Sequence, residues 1–137
     1  MVLYINTSKE KQLGVFLIKE KRIIDKIRLD GDYKVSENLL KLVNKIIGKN
    51  RLKFKDLNGI IMVSGPGPFT SLRIAAAVVN SLAYALKIPV VGIKIQKKRP
   101  TDAQIIKSGL SKLEQVKLGT YVSPFYEKLP NIVIRRL

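Results

Sequence analysis

One block of sequence, residues 59–93, limits the folds open to this chain more than any other feature. It begins with Gly-Ile-Ile-Met-Val, passes through a loop of glycine and proline, continues into an alanine-rich stretch and ends on Pro-Val-Val-Gly-Ile. Short apolar runs bounded by turn residues are typical of strands buried on both faces, whereas the longer stretch between them predicts a helix. The block therefore indicates an α/β domain.

The helix in this block is predicted to run over residues 70–87, with few polar positions on any side. One side can pack on a sheet, and the alanines would let a second helix approach another side closely, in this chain or between chains. Its polar residues recur every seven positions, at Arg73, Asn80 and Lys87. This stripe is consistent either with a solvated face or with the rim of a protein interface.

The sequence before this block predicts three strands and a helix. Residues 2–7 and 12–18 are apolar runs joined by a tight turn, which indicates a hairpin, and residues 23–29 alternate in part, as in an edge strand. Ser36 is a good N-cap for a stretch of helical apolar spacing that Gly48 ends. The predicted order is β-β-β-α-β-α-β, in one mixed five-stranded sheet with helices against it.

The sequence changes character after Gln96. A charged linker over residues 97–100 precedes a weak helical pattern over residues 102–115. Short extended pieces are predicted around Tyr121 and Ile132.

The composition excludes several kinds of chemistry. The 137 residues include neither cysteine nor histidine, so disulfides, thiol nucleophiles, catalytic triads and histidine metal sites are excluded. The carboxylates of Asp25, Asp30, Asp32 and Asp56 lack the spacing of a metal-binding loop. We therefore expect no catalytic residue, no metal and no cofactor.

The N-terminal sequence favours a cytoplasmic protein. Its first apolar run is interrupted by charge too soon for a signal peptide, and we expect no stretch to approach the apolar length that spans a membrane.

The charge of the chain has two explanations. A net charge of +16 and a pI of about 10.2 are expected of a protein that meets phosphate backbones. AT-rich codon usage would also enrich the chain in lysine, so charge alone does not decide whether the protein binds nucleic acid.

The loop over residues 64–70 lies at a strand-loop-helix junction, where backbone N–H groups at a helix start could bind an anion. Pro66 and Pro68 have no N–H to donate, and no Gly-Lys-Ser/Thr follows, so the loop is not a P-loop. The alternative is a rigid turn with Thr70 or Ser71 as the helix cap. The residues expected near an anion or nucleotide are Ser64, Gly65, Gly67 and Thr70.

Residues 64–93 resemble the signature of the TsaB (YeaZ) family, usually seen as GPGSFTGLRIG before an alanine-rich helix and a Pro-Val-Val-Gly strand. Residues 4–10 resemble the start of the family, and residues 35–47 resemble its His-Ser-Glu helix with valine in place of histidine. Residues 122–134 resemble its end. The resemblance covers most of residues 1–95.

The resemblance implies the fold of the actin-like, ribonuclease H-like superfamily, which includes sugar kinases and Hsp70. Residues 1–95 would form its N-terminal subdomain, and residues 96–137 a shortened remnant of the second. Asn6 stands where the superfamily usually has an Asp near the nucleotide phosphates, and Pro68 and Ser71 replace a Ser and a Gly of the signature. The first departure argues against nucleotide hydrolysis, and the other two argue against anion binding by the loop.

The resemblance also implies a function. The chain would be a non-catalytic subunit that pairs through its two helices with the catalytic protein TsaD, which adds a threonylcarbamoyl group to N6 of the adenosine beside the anticodon in tRNA. A TsaE-like ATPase would join the complex, and the chain would form a homodimer when alone. The residues expected at the partner interface are Leu39, Val43, Arg73, Ala76, Ala77, Asn80 and Tyr84. Those expected to contact tRNA within the complex are Lys97, Lys98, Arg99, Arg135 and Arg136.

Two other functions stay open. A small nucleotide-binding enzyme of the same superfamily would use the strand-loop-helix junction, but Asn6 and the absence of histidine disfavour it. A stand-alone basic tRNA-binding protein is supported only by the charge.

Overall fold

The computed structural model describes residues 1–31, 34–96 and 100–125. The strands in these ranges are β1 (Val2–Asn6), β2 (Gln12–Lys19), β3 (Arg22–Asp30), β4 (Gly59–Gly65) and β5 (Val90–Lys94). The helices are α1 (Val35–Lys49), α2 (Phe69–Leu86) and α3 (Asp102–Leu113), with a 3₁₀ turn at Phe54–Asp56. The predicted α/β class and the predicted order of elements are confirmed.

The strands form one mixed sheet in the order β3-β2-β1-β4-β5. β2 pairs antiparallel with β1 and β3, because tight turns join these strands. β4 pairs parallel with β1 and β5, because α1 and α2 lie in the connections that lead into β4 and β5. Every residue of the inner strand β4 is buried, and β3 lies at an edge, as predicted.

Helices cover both faces of the sheet. α1 and α2 pack on one face, where the core includes Leu3, Val43 and Val79. α3 packs on the other face, where the core includes Ile61 and Ile106. A sheet whose inner strands are apolar on both faces needs cover on both, and residues after 100 supply one of the two covers.

α2 is buried along one broad side and open along another. Leu72, Ala75 and Val79 are fully buried against the sheet and α1. Arg73 and Tyr84 are exposed. The sequence predicted burial on more than one side, and within the described residues one face of the helix has no cover.

α2 is also long and apolar enough to cross a membrane by length and composition, contrary to the expectation that no stretch would be. This criterion is weak, because the core helix of a globular protein meets it too. One side of α2 packs on β4, which accounts for much of its apolar sequence.

Two local predictions are wrong. α1 begins at Val35 with Lys34 as its N-cap, so Ser36 lies inside the first turn instead of capping it. The residues around Tyr121 form no strand, because the backbone of Val122 hydrogen-bonds to the Asn80 side chain of α2 instead of to a sheet edge. The extended piece expected around Ile132 lies outside the described residues.

α3 approaches the sheet most closely at Gly109. A methyl group added there would lie 2.5 Å from Cγ2 of Ile61, a fully buried residue of β4. Real side chains do not come that close, so Gly109 determines how deeply α3 packs on the sheet.

We predict that Gly109→Ala lowers the free energy of unfolding by about 1–3 kcal/mol, because the added methyl group overpacks the contact with Ile61. Helix propensity alone would raise it by about 1 kcal/mol. Gly48→Ala in α1 is the matched control, because among the described residues its added methyl group would lie within 4 Å of nothing beyond its chain neighbours and the backbone of its own helix. Urea unfolding should show a small gain for Gly48→Ala, and an equal gain for both variants would contradict the close packing of α3.

Candidate functional site: an exposed helix face and a closed strand-end cluster

A cluster of polar side chains lies at the end of β1, on the face of the sheet that α3 covers. The Tyr4 hydroxyl donates to Oδ1 of Asp102 at 2.6 Å, and Nδ2 of Asn6 donates to the same oxygen at 2.9 Å. A guanidinium nitrogen of Arg28 lies 3.1 Å from Oδ2. Three positions on the sheet therefore hold one carboxylate from α3, and we call these four residues the strand-end cluster.

Local sequence places Asp102 at the start of α3. The Thr101 hydroxyl accepts a hydrogen bond from the backbone N–H of Gln104 at 3.2 Å, and the Gln104 side chain accepts one from the backbone N–H of Thr101 at 2.9 Å. This capping box fixes the first turn, and a carboxylate there also interacts favourably with the helix dipole.

Asn6 connects the cluster to the turn that follows β1. Its Oδ1 accepts from the backbone N–H of Ser8 at 3.0 Å and from the Ser8 hydroxyl at 2.6 Å. Both ends of the Asn6 amide are therefore engaged within the chain. This is the position where the resemblance implies an Asp near nucleotide phosphates.

The ionisation states in the cluster follow from burial and hydrogen bonding. Burial raises the pKa of the Tyr4 hydroxyl, and its hydrogen bond to Asp102 raises it further, so Tyr4 stays protonated as a donor. For Asp102, burial alone would raise the pKa. The hydrogen bonds from Tyr4 and Asn6 and the charges of Lys9 and Arg28 outweigh burial and lower it below its ordinary value of 3.8. Asp102 is therefore a carboxylate at neutral pH.

The end of β4 and the loop that follows it pack against other parts of the chain on two sides. A methyl group added to Gly67 would lie 2.6 Å from the carbonyl oxygen of Ser8, and one added to Gly65 would collide with the carbonyl of Phe125. The Ser64 carbonyl accepts a hydrogen bond from the backbone N–H of Phe125 at 2.7 Å. The close backbone packing explains both glycines without an anion.

The start of α2 differs from the expected cap. Pro68 is the N-cap residue, and no side-chain hydrogen bond caps the helix there, so neither Thr70 nor Ser71 has the predicted role. Of the residues expected near an anion, Ser64 and Gly65 are buried, whereas Gly67 and Thr70 are exposed. Anion binding at this loop stays a prediction.

The exposed face of α2 carries small residues between two large ones. Ala77 and Ser81 are exposed at its centre, and Tyr84 is 75% exposed. The Arg73 guanidinium lies 5.3 Å from the centre of the Phe69 ring, a cation–π contact that orients it. We call Arg73, Ala77, Ser81 and Tyr84 the α2 face.

Residues far along the chain extend this face. Asn80 donates to the Val122 carbonyl at 2.9 Å and accepts from the Val122 N–H at 2.8 Å. This pair of bonds holds the neighbouring Tyr121 beside Tyr84, where the two tyrosines line a shallow groove with Asn80 and Ser81. Tyr121 is 48% exposed.

The predicted interface residues do not all reach the surface. Leu39 and Val43 of α1 and Ala76 of α2 are buried in the core, so they are not available to a partner, and the interface prediction is corrected on this point. Helical spacing alone did not show which apolar positions of these helices face the sheet. Arg73, Ala77 and Tyr84 are exposed, and Asn80 is half-buried through its bonds to Val122. The residues expected to contact tRNA, Lys97, Lys98, Arg99, Arg135 and Arg136, lie outside the described residues.

Sequence reasoning missed the strand-end cluster and Tyr121. Thr101 with Gln104 is a capping-box pattern, so the sequence did contain a signal for the start of α3. No local pattern pairs Asp102 with Tyr4, because these residues are separated by 98 positions. Among the described residues, no group of three or more Asp and Glu could hold a metal ion.

Comparisons with known proteins agree with this geometry. A family model described as TsaD, tRNA N6-adenosine threonylcarbamoyltransferase, matches residues 33–96. The solved structure of YeaZ from Pseudomonas aeruginosa superposes with a TM-score of 0.63 at 29% sequence identity. The match covers 68% of this chain and 43% of that one.

Two curated relatives carry the name tRNA threonylcarbamoyladenosine biosynthesis protein TsaB. The protein from Buchnera aphidicola subsp. Acyrthosiphon pisum is 38% identical over 60 residues, and that from subsp. Schizaphis graminum is 32% identical over 105 residues. The chain is similar to these TsaB proteins. The resemblance read from the sequence is thus confirmed, and so is the actin-like fold that it implied.

The match to TsaB relatives is partial. The aligned region covers 44% of this chain and 27% of the first relative, and 66% of this chain and 50% of the second. The chain therefore spans half the length of these TsaB proteins or less. The division into a subdomain over residues 1–95 and a remnant over residues 96–137 stays a prediction.

We predict that Asp102→Ala lowers the free energy of unfolding by about 2–4 kcal/mol at neutral pH, because Tyr4, Asn6 and Arg28 lose their common acceptor. Asp30→Ala is the control. Asp30 is exposed and accepts a hydrogen bond from Gln12, so its loss should cost about 0.5 kcal/mol or less.

The effect of Asp102→Ala should depend on pH in a defined direction. Because folding lowers the pKa of Asp102, its stabilisation is fully present above the unfolded pKa, near 3.8. It is lost as the pH falls below that value through the folded pKa. The difference in urea unfolding between wild type and Asp102→Ala should therefore shrink as the pH falls below about 4. A difference that stays constant down to about pH 2 would contradict the role of the carboxylate.

Proposed function

We propose that the chain is a non-catalytic scaffold subunit that supports a TsaD-like catalytic subunit in adding a threonylcarbamoyl group to N6 of adenosine in tRNA. The names of the curated TsaB relatives support the pathway. The description of the matching family model supports a TsaD-like partner.

The α2 face is the observation that carries the scaffold role. Exposed Ala77 and Ser81 would allow the backbone of another helix to come close, and Arg73 and Tyr84 on either side are residue types enriched at interface hot spots. Leu40 of the neighbouring helix α1 is 47% exposed and adds apolar surface. A face of this composition favours a protein partner over solvent.

The strand-end cluster supports a non-catalytic role. In a nucleotide-binding relative, the end of β1 would have to be open to phosphates. Here Asp102 places its own negative charge at that position, and Arg28, Tyr4 and Asn6, which could otherwise attract a phosphate, are bonded to it. This arrangement disfavours the alternative of a small nucleotide-binding enzyme.

The remaining parts of the proposal follow from the resemblance. The chain would form a homodimer through the α2 face when alone, and a TsaE-like ATPase would join the complex with the TsaD-like subunit. Contact with tRNA would occur in the assembled complex, through Lys97, Lys98, Arg99, Arg135 and Arg136. Such a complex would act in the cytoplasm.

We predict that Ala77→Glu weakens association with the TsaD-like subunit of the same organism by about 2–4 kcal/mol while the chain stays folded. Ala77 is exposed in the single chain, so a glutamate at this position would place an unpaired charge against the partner. Titration calorimetry gives the affinity, and circular dichroism gives the fold.

Two variants serve as controls for this experiment. Ser108→Glu adds the same charge on α3, on the opposite side of the sheet, and should leave the affinity unchanged. Ala76→Glu places a charge in the core and should unfold the chain. Unchanged association with Ala77→Glu would remove the scaffold proposal.

We also predict that ATP with magnesium shows no heat of binding to the purified chain, because the strand-end cluster already pairs its cation and donors with Asp102. Asp102→Ala is the matched variant, because it removes the carboxylate that pairs with Tyr4, Asn6 and Arg28. Its circular dichroism spectrum should first establish that it folds. Saturable binding of ATP to the wild-type chain would favour the enzyme alternative.

A further inference from the structure

A second open surface lies on the side of the sheet opposite α1 and α2. It is a cavity of about 670 Å³ between α3 and the turn that joins β2 to β3. Its apolar lining consists of Ile23, Ala103, Ile106 and Leu110. We call this cavity the α3 groove.

The apolar lining has helical spacing. Ala103, Ile106 and Leu110 recur at intervals of three and four residues, so they form a stripe along α3. Ile23 faces this stripe from β3, and its side chain is 40% exposed. The stripe and Ile23 together leave a slot bounded by a helix on one side and a strand on the other.

The rim of the groove is mainly basic. Lys21 comes from the turn, Arg22 from the start of β3 and Lys107 from α3. Glu114, just after α3, is the one acidic residue of the groove within the described part of the chain. An occupant with acidic groups would therefore complement most of the rim. Its negative charge would also be attracted by the net charge of +16 on the whole chain.

The turn beside the groove has a backbone conformation that its residues do not favour. Glu20 and Lys21 have φ angles of 51° and 65°, in the left-handed region that favours glycine or asparagine. A hairpin turn of this kind normally contains Asn-Gly. Here it contains two charged residues and directs Lys21 to the rim of the groove. Strained backbone of this kind is often associated with function.

We propose that the α3 groove is a docking site for an acidic amphipathic helix of a partner protein. Helices bind in grooves through apolar residues at the spacing that α3 itself shows, and the stripe from Ala103 to Leu110 spans about two turns of such a helix. Among the described residues, the lining contains no aromatic side chain on which a nucleic-acid base could stack, which favours protein over single-stranded RNA.

This surface is independent of the α2 face. The two lie on opposite faces of the sheet, so a partner at one leaves the other open. The proposal therefore goes beyond the proposed function and can fail without affecting it.

The test uses two labelled peptides of about 14 residues, both with leucines at helical spacing. One carries glutamates at the remaining positions, and the other carries lysines. Fluorescence anisotropy with the full chain should show binding of the glutamate peptide that is about tenfold or more tighter than that of the lysine peptide and that weakens with salt. Equal affinities would overturn the proposal.

Variants of the chain locate the binding. Lys107→Glu and Arg22→Glu should each weaken binding of the glutamate peptide about tenfold and strengthen binding of the lysine peptide. Ile23→Asp should weaken binding of both peptides, because it places a charge in the apolar slot. Lys55→Glu, an exposed position outside the groove, should change neither affinity. Circular dichroism melting establishes that each variant folds.

Each of three results would overturn the proposal, because it would place the peptide on another surface or identify another occupant of the groove. The first is loss of peptide binding in Ala77→Glu, which would place the peptide on the α2 face. The second is a change in self-association with Ile23→Asp, seen by sedimentation, which would make a second copy of the chain the occupant. The third is saturable binding of decanoate that Ile23→Asp abolishes, with no binding of either peptide, which would make the groove a small-molecule site.

Discussion

The burial of β4 on both faces is the constraint on which the rest of this structure depends. All seven residues of the strand are buried, so the sheet must be covered on two sides. α1 and α2 cover one side, and the chain must return after β5 to place α3 on the other. Helix α3 is therefore part of the core. Gly109 and Asp102 attach it to the sheet, one through close packing with Ile61 and one through hydrogen bonds.

The sequence predicts those parts of the fold that local patterns determine. The apolar run in β4 and the helical spacing in α1 and α2 identify the elements and their order, because these elements are long and strongly periodic. The edge position of β3 follows from its alternating charges. The predicted cap at Ser36 fails, because the helix begins one residue before it, and a hydroxyl in the first turn is compatible with either start.

The candidate site was harder to predict than the fold. The sequence identifies Arg73, Ala77 and Tyr84 as interface residues because they lie on one helix. It does not show that Leu39, Val43 and Ala76 are buried, because their burial depends on which side of each helix faces the sheet. The strand-end cluster joins residues of β1, β3 and α3 that are far apart in sequence, and no spacing rule connects them. Proximity of this kind depends on the assembled sheet, which a single sequence does not specify residue by residue.

The two hydrogen bonds between Asn80 and Val122 make the α2 face a surface of two segments. During synthesis, α2 is made about forty residues before Tyr121, so its exposed side exists first without the second tyrosine. Only after the chain has been extended past Val122 does the amide of Asn80 hold Tyr121 beside Tyr84. A partner that requires both tyrosines would therefore bind only after the chain has been synthesised past Val122 and this segment has docked on α2.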